Sequence, residues 1–202
     1  MGKGSGFQGM IGTRNGITVY GERPITQLCF DEMSNDETLE LIRRIRPPDD
    51  CEIALSNQQS IEQVIIEAPL GKKYGVVDVF ISCPDLCLLC EVKPSKYEKV
   101  EKRLRKQIPN YLKAIRDAKK DCSCKSELVS QVRKEIASKT VCLVCVTDDH
   151  DLPEGLKRLF EEMKMEFSTA TCWAPYSFLQ LVLERHGYSI KGNTPNTWAM
   201  KK

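Results

Sequence analysis

Two apolar runs of this 202-residue chain are broken by ionisable side chains: Asp78 interrupts VVDVFI, and Glu91 and Lys93 end LCLLCEVK. Burying an unpaired charge is costly, so groups placed in this way pair with one another, bind metal or do chemistry. Glu91 and Lys93 are two apart and project to one face of a strand, while Asp78 on a preceding hairpin strand can lie beside them. The Asp78 and Glu91 carboxylates, with the Val92 backbone carbonyl, form the hard oxygen set that Mg²⁺ or Mn²⁺ prefers. Lys93 adds an ammonium that can position a water or stabilise a developing negative charge. The plainer alternative is a buried ion pair with a spare acid, although such pairs often stabilise less than apolar residues of the same size. Two histidines, far apart in sequence, are too few to suggest a histidine zinc centre.

Positioning these groups requires strands followed by a helix, and the pattern supplies both. After a glycine-rich arm to about residue 16, a short strand pair is expected around ITVY and ITQLCF. Ser34 or Asn35 then caps an amphipathic helix from Asp36 to about Arg46, stopped by Pro47 and Pro48. Short β-rich runs follow, CEIAL, EQVIIEAPL, GVVDVFIS and DLCLLCEVK, the last three joined by tight turns as an antiparallel meander. Tyr97, Val100, Leu104, Ile108, Tyr111 and Ile115 recur at helical spacing across residues 96–120, with Pro109 expected to kink the helix or start a second segment. A polar stretch, loop or helix, then leads to a buried strand, TVCLVCV. Beyond it come a helix near Pro153, a strand EFSTATCW and a last helix APYSFLQLVLERHGY. Residues 1–34 read as an arm with short strands, and 35–202 as one domain with a C-terminal extension after about 146.

The pattern D-(x12)-E-V-K on two paired strands before an amphipathic helix resembles the signature of the PD-(D/E)xK nuclease superfamily. The surrounding EAPLGKKYGVVDVFISCPDLCLLCEVKPS is similar to Holliday-junction resolvases and restriction-type endonucleases, and Gln107 and Tyr111 match the QxxxY motif of an exonuclease branch. Val77 stands where the family name has proline. The resemblance covers about residues 36–146. It implies an α/β fold with a restriction-endonuclease-like αβββαβ core, a central mixed sheet flanked by helices. It also implies metal-dependent hydrolysis of phosphodiester bonds, in DNA rather than RNA, leaving 5′-phosphate ends. Asp78, Glu91 and the Val92 carbonyl would hold Mg²⁺ or Mn²⁺, Lys93 would act on the attacking water or the phosphate, and Gln107 and Tyr111 would orient the scissile nucleotide. A further carboxylate is usual on the helix before the meander, for which Glu40 is the first choice, with Glu67 and Glu52 as alternatives. Related resolvases and restriction-type enzymes often work as dimers, so a homodimer is among the expectations.

Composition narrows the rivals. A hydrophobic fraction of 41% and a charged fraction of 29% are ordinary for a globular domain, and disorder or a coiled coil is not suggested. A net charge of +2 gives no global field, so nucleic acid would have to be gripped locally. Lys96, Lys99, Lys102, Arg103 and Lys106 are the candidates for phosphate contacts, or else form a solvated helix face. No run of 18 apolar residues and no secretory leader is visible, so no membrane partner and a cytoplasmic or nuclear location are expected. Ten cysteines leave open a cysteine-ligated metal protein. However, the CxxC pairs Cys87/Cys90 and Cys142/Cys145 sit in strands, where residues three apart face opposite ways. Cys83, Cys122, Cys124 and Cys172 are the loop-like candidates for that reading. The remaining rival is a nucleic-acid-binding module on the same fold without catalysis.

Overall fold

The computed structural model describes residues 11–13, 16–20, 22–46, 58–93, 97–147, 170–191 and 198–201, together with residues 158 and 161. Strands β3 (Gln63–Gly71), β4 (Gly75–Ser82) and β5 (Leu86–Val92) form the expected antiparallel meander. Strands β6 (Thr140–Thr147) and β7 (Ala170–Pro175) extend it in parallel, giving a five-stranded mixed sheet in the order β3-β4-β5-β6-β7. Parallel neighbours need a long crossover, and α3 (Tyr97–Lys120) with α4 (Glu127–Ser138) supplies it between β5 and β6. A second, four-stranded antiparallel sheet joins the two ends of the chain. In it β1 (Ile11–Thr13) and β2 (Gly16–Tyr20) meet β8 (Tyr188–Lys191) and β9 (Trp198–Lys201) in the order β1-β2-β9-β8.

The five-stranded sheet is covered on both faces. On one, Leu41 and Ile42 of α2 (Asn35–Arg43), Cys29 and Phe30 of α1 (Glu22–Glu32), and Phe178 and Val182 of α5 (Ser177–Arg185) pack against Val79, Leu88, Cys90 and Val144. On the other, Leu104, Ile108 and Ile115 of α3, with Val132 and Ile136 of α4, pack against Phe80, Cys87, Leu89 and Leu143. Strand β5 is central and buried along its whole length, which is why it reads as an unbroken apolar run until Glu91. At the start of α2, Ser34 and Glu37 exchange backbone and side-chain hydrogen bonds as a capping box.

Three expectations change. ITQLCF lies in helix α1 rather than in a strand: its β-forming residues suggested a strand, but Thr26, Cys29 and Phe30 are buried at helical spacing. Pro109 does not divide α3, which runs as one helix; a proline removes one backbone donor, and packing of the apolar stripe carries the helix through. Nor is the region after 146 a mere extension, because β7 is the fifth strand of the main sheet and α5 covers it. The CEIAL strand and all but residues 158 and 161 of the helix after Pro153 lie outside the described residues.

One irregularity shapes the hairpin that carries Asp78. Ile66 pairs with Val79 and Ala68 with Val77, so Glu67 stands opposite Asp78 without any slip of register there. Yet Ile66 and Val79 face the α1/α2/α5 layer, whereas Ala68 and Val77 face α3 and α4. Both strands change faces at this one pair, and Glu67 takes up the change with a left-handed φ of 54°. A non-glycine residue there stores roughly 1–3 kcal/mol of strain. Glu67→Gly should therefore raise unfolding stability by about 1 kcal/mol after glycine's own entropic cost. Urea denaturation checks this, and a loss of stability would mean that the side chain's contacts outweigh the strain.

Candidate active site

The hairpin register sets Asp78 of β4 beside Glu91 of β5, and parity turns Glu91 and Lys93 toward α3, on the face that Cys87 and Leu89 share. Glu91 is 1% exposed and Lys93 5%, so both are held inside the protein. The Lys93 ammonium lies 2.5 Å from Glu91 Oε1 and 3.2 Å from Asp78 Oδ2, and donates to the Val92 carbonyl at 3.1 Å. Asp78 Oδ2 also accepts from the Val92 backbone N–H at 2.8 Å, which ties β4 to the end of β5. The Asp78 side chain is 35% exposed, so the site opens to solvent at this carboxylate.

Helix α3 completes the constellation. Gln107 and Tyr111, one turn apart, both reach Glu91: Gln107 Nε2 donates to Oε1 at 2.6 Å, and the Tyr111 hydroxyl lies 2.9 Å from Oε2 and 2.9 Å from the Val76 carbonyl. Both hold the carboxylate in place. Burial pushes the Tyr111 hydroxyl's pKa well up, as does the Glu91 charge, so it remains a donor. Burial and the Asp78 charge raise the Glu91 carboxyl above its ordinary value, with Lys93 and Tyr111 opposing them.

The donor chemistry suits a hard divalent cation. Three oxygens, from Asp78, Glu91 and Val92, already converge on one positive charge. Beside them Gln107 Oε1 is buried with no hydrogen-bond partner, a neutral oxygen with spare acceptor capacity. The additional carboxylate is not brought in. Glu40, on α2, is bound to Arg44 at 2.9 Å and to Arg185 at 2.7 Å, and those two guanidinium groups hold its pKa down. Glu67 lies across from Asp78, yet no three acids, histidines or cysteines among the described residues form a metal-holding group. Glu52 and Lys96 lie outside the described residues, and the Lys99 side chain is likewise undescribed. Lys102, Arg103 and Lys106 are exposed on α3, with Arg103 one turn before Gln107.

Sequence reasoning missed two polar features. Thr147, at the end of β6, is 1% exposed and its hydroxyl has no partner; a polar residue closing a buried strand was the available signal. At the opposite end of the sheet Lys139 pairs with Glu135 at 2.5 Å and with Glu62, and donates to Ser82 at 2.8 Å. That cluster fastens α4 to the β3–β4 pair. As the strand reading requires, Cys87 and Cys90 lie on opposite faces, as do Cys142 and Cys145, so neither pair can pinch a metal. Burial pushes the Cys145 thiol, next to Glu91, up to about 12, leaving it protonated and inert. Among the described residues no helix is long and apolar enough to cross a membrane.

Compared with protein-family models, with curated proteins and with solved structures, the chain gives no match.

The raised Glu91 carboxyl has a pH consequence. Its folded value lies above its unfolded one, so its contribution to stability is complete below the ordinary carboxylate value and is lost as pH rises through the raised value. In EDTA, the native chain should lose stability relative to Glu91→Gln over that interval, as read by chemical denaturation. Parallel pH profiles for the two proteins would refute it.

Proposed function

We propose that this chain is a metal-dependent nuclease on a restriction-endonuclease-like fold, hydrolysing phosphodiester bonds in DNA. The observation that carries the reading is the convergence of Asp78, Glu91 and the Val92 carbonyl on one cationic position, with Gln107 and Tyr111 bracing Glu91 from the next helix. The order α2-β3-β4-β5-α3-β6, with α4 interposed, supports it, since this is the αβββαβ order that the resemblance implies.

Asp78, Glu91 and the Val92 carbonyl would hold Mg²⁺ or Mn²⁺, which when bound lowers the pKa of water and offsets charge on the pentavalent phosphorus. The chain's own groups do the rest. Gln107 and Tyr111 fix the direction of the Glu91 carboxylate, as outer partners of a ligand do. Lys93 sets its positive charge beside the attacking water or a phosphoryl oxygen, where charge develops in the transition state. Asp78, the solvent-facing member, lies where the nucleic acid arrives. Lys102, Arg103 and Lys106, exposed on the helix that carries Gln107, would neutralise backbone phosphates.

Purified protein should cut labelled single-stranded, duplex or branched DNA with Mg²⁺ or Mn²⁺ and not with EDTA. Asp78→Asn and Lys93→Ala should each slow cutting by at least about 100-fold. Folded protein that binds DNA but cuts none of these substrates under either metal would replace the nuclease with a binding module. Lys102→Ala and Lys106→Ala should weaken DNA binding evenly across sequences, and each should lower the log–log salt slope by about 1. An unchanged slope would place the phosphates elsewhere.

A further inference from the structure

In this structure Lys93 stands where a divalent cation would. Its ammonium is held by Glu91 Oε1, the Val92 carbonyl and Asp78 Oδ2, at 2.5, 3.1 and 3.2 Å. A divalent ion on those three oxygens would repel the ammonium they now hold. Lys93 must give them up on loading, and at 5% exposure it has little direct access to water. A buried ammonium that loses these three acceptors gains from another within reach.

The neighbouring strand offers one. Val92 pairs with Val146 in the parallel β5–β6 ladder, and the Lys93 backbone N–H donates to the Val146 carbonyl at 2.8 Å. Lys93 and Thr147 are therefore side by side, one strand spacing of about 4.8 Å apart. Thr147 follows Cys145 at strand parity, so it shares the α3 face with Glu91 and Lys93. Its hydroxyl is buried and has no hydrogen-bond partner, while its carbonyl is already taken by the Tyr176 N–H at 2.5 Å. An orphaned buried hydroxyl is a cost that a folded protein rarely carries without use.

We propose that Thr147 is a positioning residue for Lys93: its hydroxyl accepts the ammonium when Asp78, Glu91 and the Val92 carbonyl pass to a divalent cation. The inference rests on the metal-dependent reading of the site and adds a second berth for the lysine. Thr147 touches no reacting atom; it acts only by offering Lys93 somewhere to go.

The test is Mn²⁺ titration calorimetry on the full chain without nucleic acid, with thermal midpoints in EDTA. Thr147→Val should weaken Mn²⁺ binding about tenfold, as loss of an outer partner of a metal site does. It should leave the EDTA midpoint unchanged or higher, because the hydroxyl it removes is unpaired. Thr147→Ser should restore affinity. Lys93→Met, which removes the competing ammonium, should bind Mn²⁺ more tightly than the native chain, and adding Thr147→Val to it should change nothing further. If the native chain binds Mn²⁺, Asp78→Asn does not, and Thr147→Val binds like the native chain, this inference fails while the metal site stands. The inference also fails if Thr147→Val weakens binding equally in the Lys93→Met background. If the native chain binds no Mn²⁺ at all, both readings fall.

Discussion

The central strand of this protein buries a carboxylate and an ammonium, and the surrounding structure has to meet their needs. Glu91 and Lys93 are nearly inaccessible to water, so their charges must be balanced within the protein. Asp78 reaches across from β4, Gln107 and Tyr111 reach down from α3, and the Val92 carbonyl turns toward the ammonium. An ordinary core would achieve more stability with leucines at these positions. Under the proposed function the polar knot would be a preorganised place for a cation, with Lys93 balancing the charge of the two carboxylates.

The sheet is built differently at its two ends. At one end Lys139, Glu62, Glu135 and the buried Ser82 lock strands and helix together through groups that satisfy one another. At the other, two of the buried atoms without a hydrogen-bond partner gather near the carboxyl ends of the parallel strands β5 and β6: Thr147 Oγ1 there, and Gln107 Oε1 above it. Open α/β sheets characteristically place ligands beyond the carboxyl ends of their parallel strands. Satisfied hydrogen bonding marks the first of these ends, and the proposed site lies at the second.

Much of this was legible in the sequence. Strands β3 to β6 announce themselves as apolar runs broken by turn residues, and α3 by its three-and-four spacing. The three charges in those runs, together with Gln107 and Tyr111, are brought into one cluster. What local pattern could not reveal is long-range pairing. Strand β2 pairs with β9 across almost the whole length of the chain, and neither is long enough to declare its partner. Helix α1 was misread because Ile25, Thr26 and Phe30 favour strands locally, and packing on α5 and β2 decides otherwise. The partners of Glu40 were not legible because position on a helix does not reveal which arginine arrives from another element; Arg185, far along the chain, binds that carboxylate. Thr147 escaped notice because an orphaned hydroxyl is visible only once its neighbours are in place.

The change of faces at Glu67 and Asp78 has a bearing on how this segment can evolve. The base of the hairpin is fitted partly to one helical layer and its tip to the other, and the crossover falls at one residue pair with no slip of register. Lengthening or shortening either strand by one residue between there and Gly71 would turn Ala68, Leu70 or Val77 outward and break the tip's contact with α3. Away from Asp78, this ribbon tolerates substitutions better than insertions and deletions. Among descendants of this sequence, the stretch from Ile66 to Val79 should therefore keep its count even where letters other than Asp78 drift.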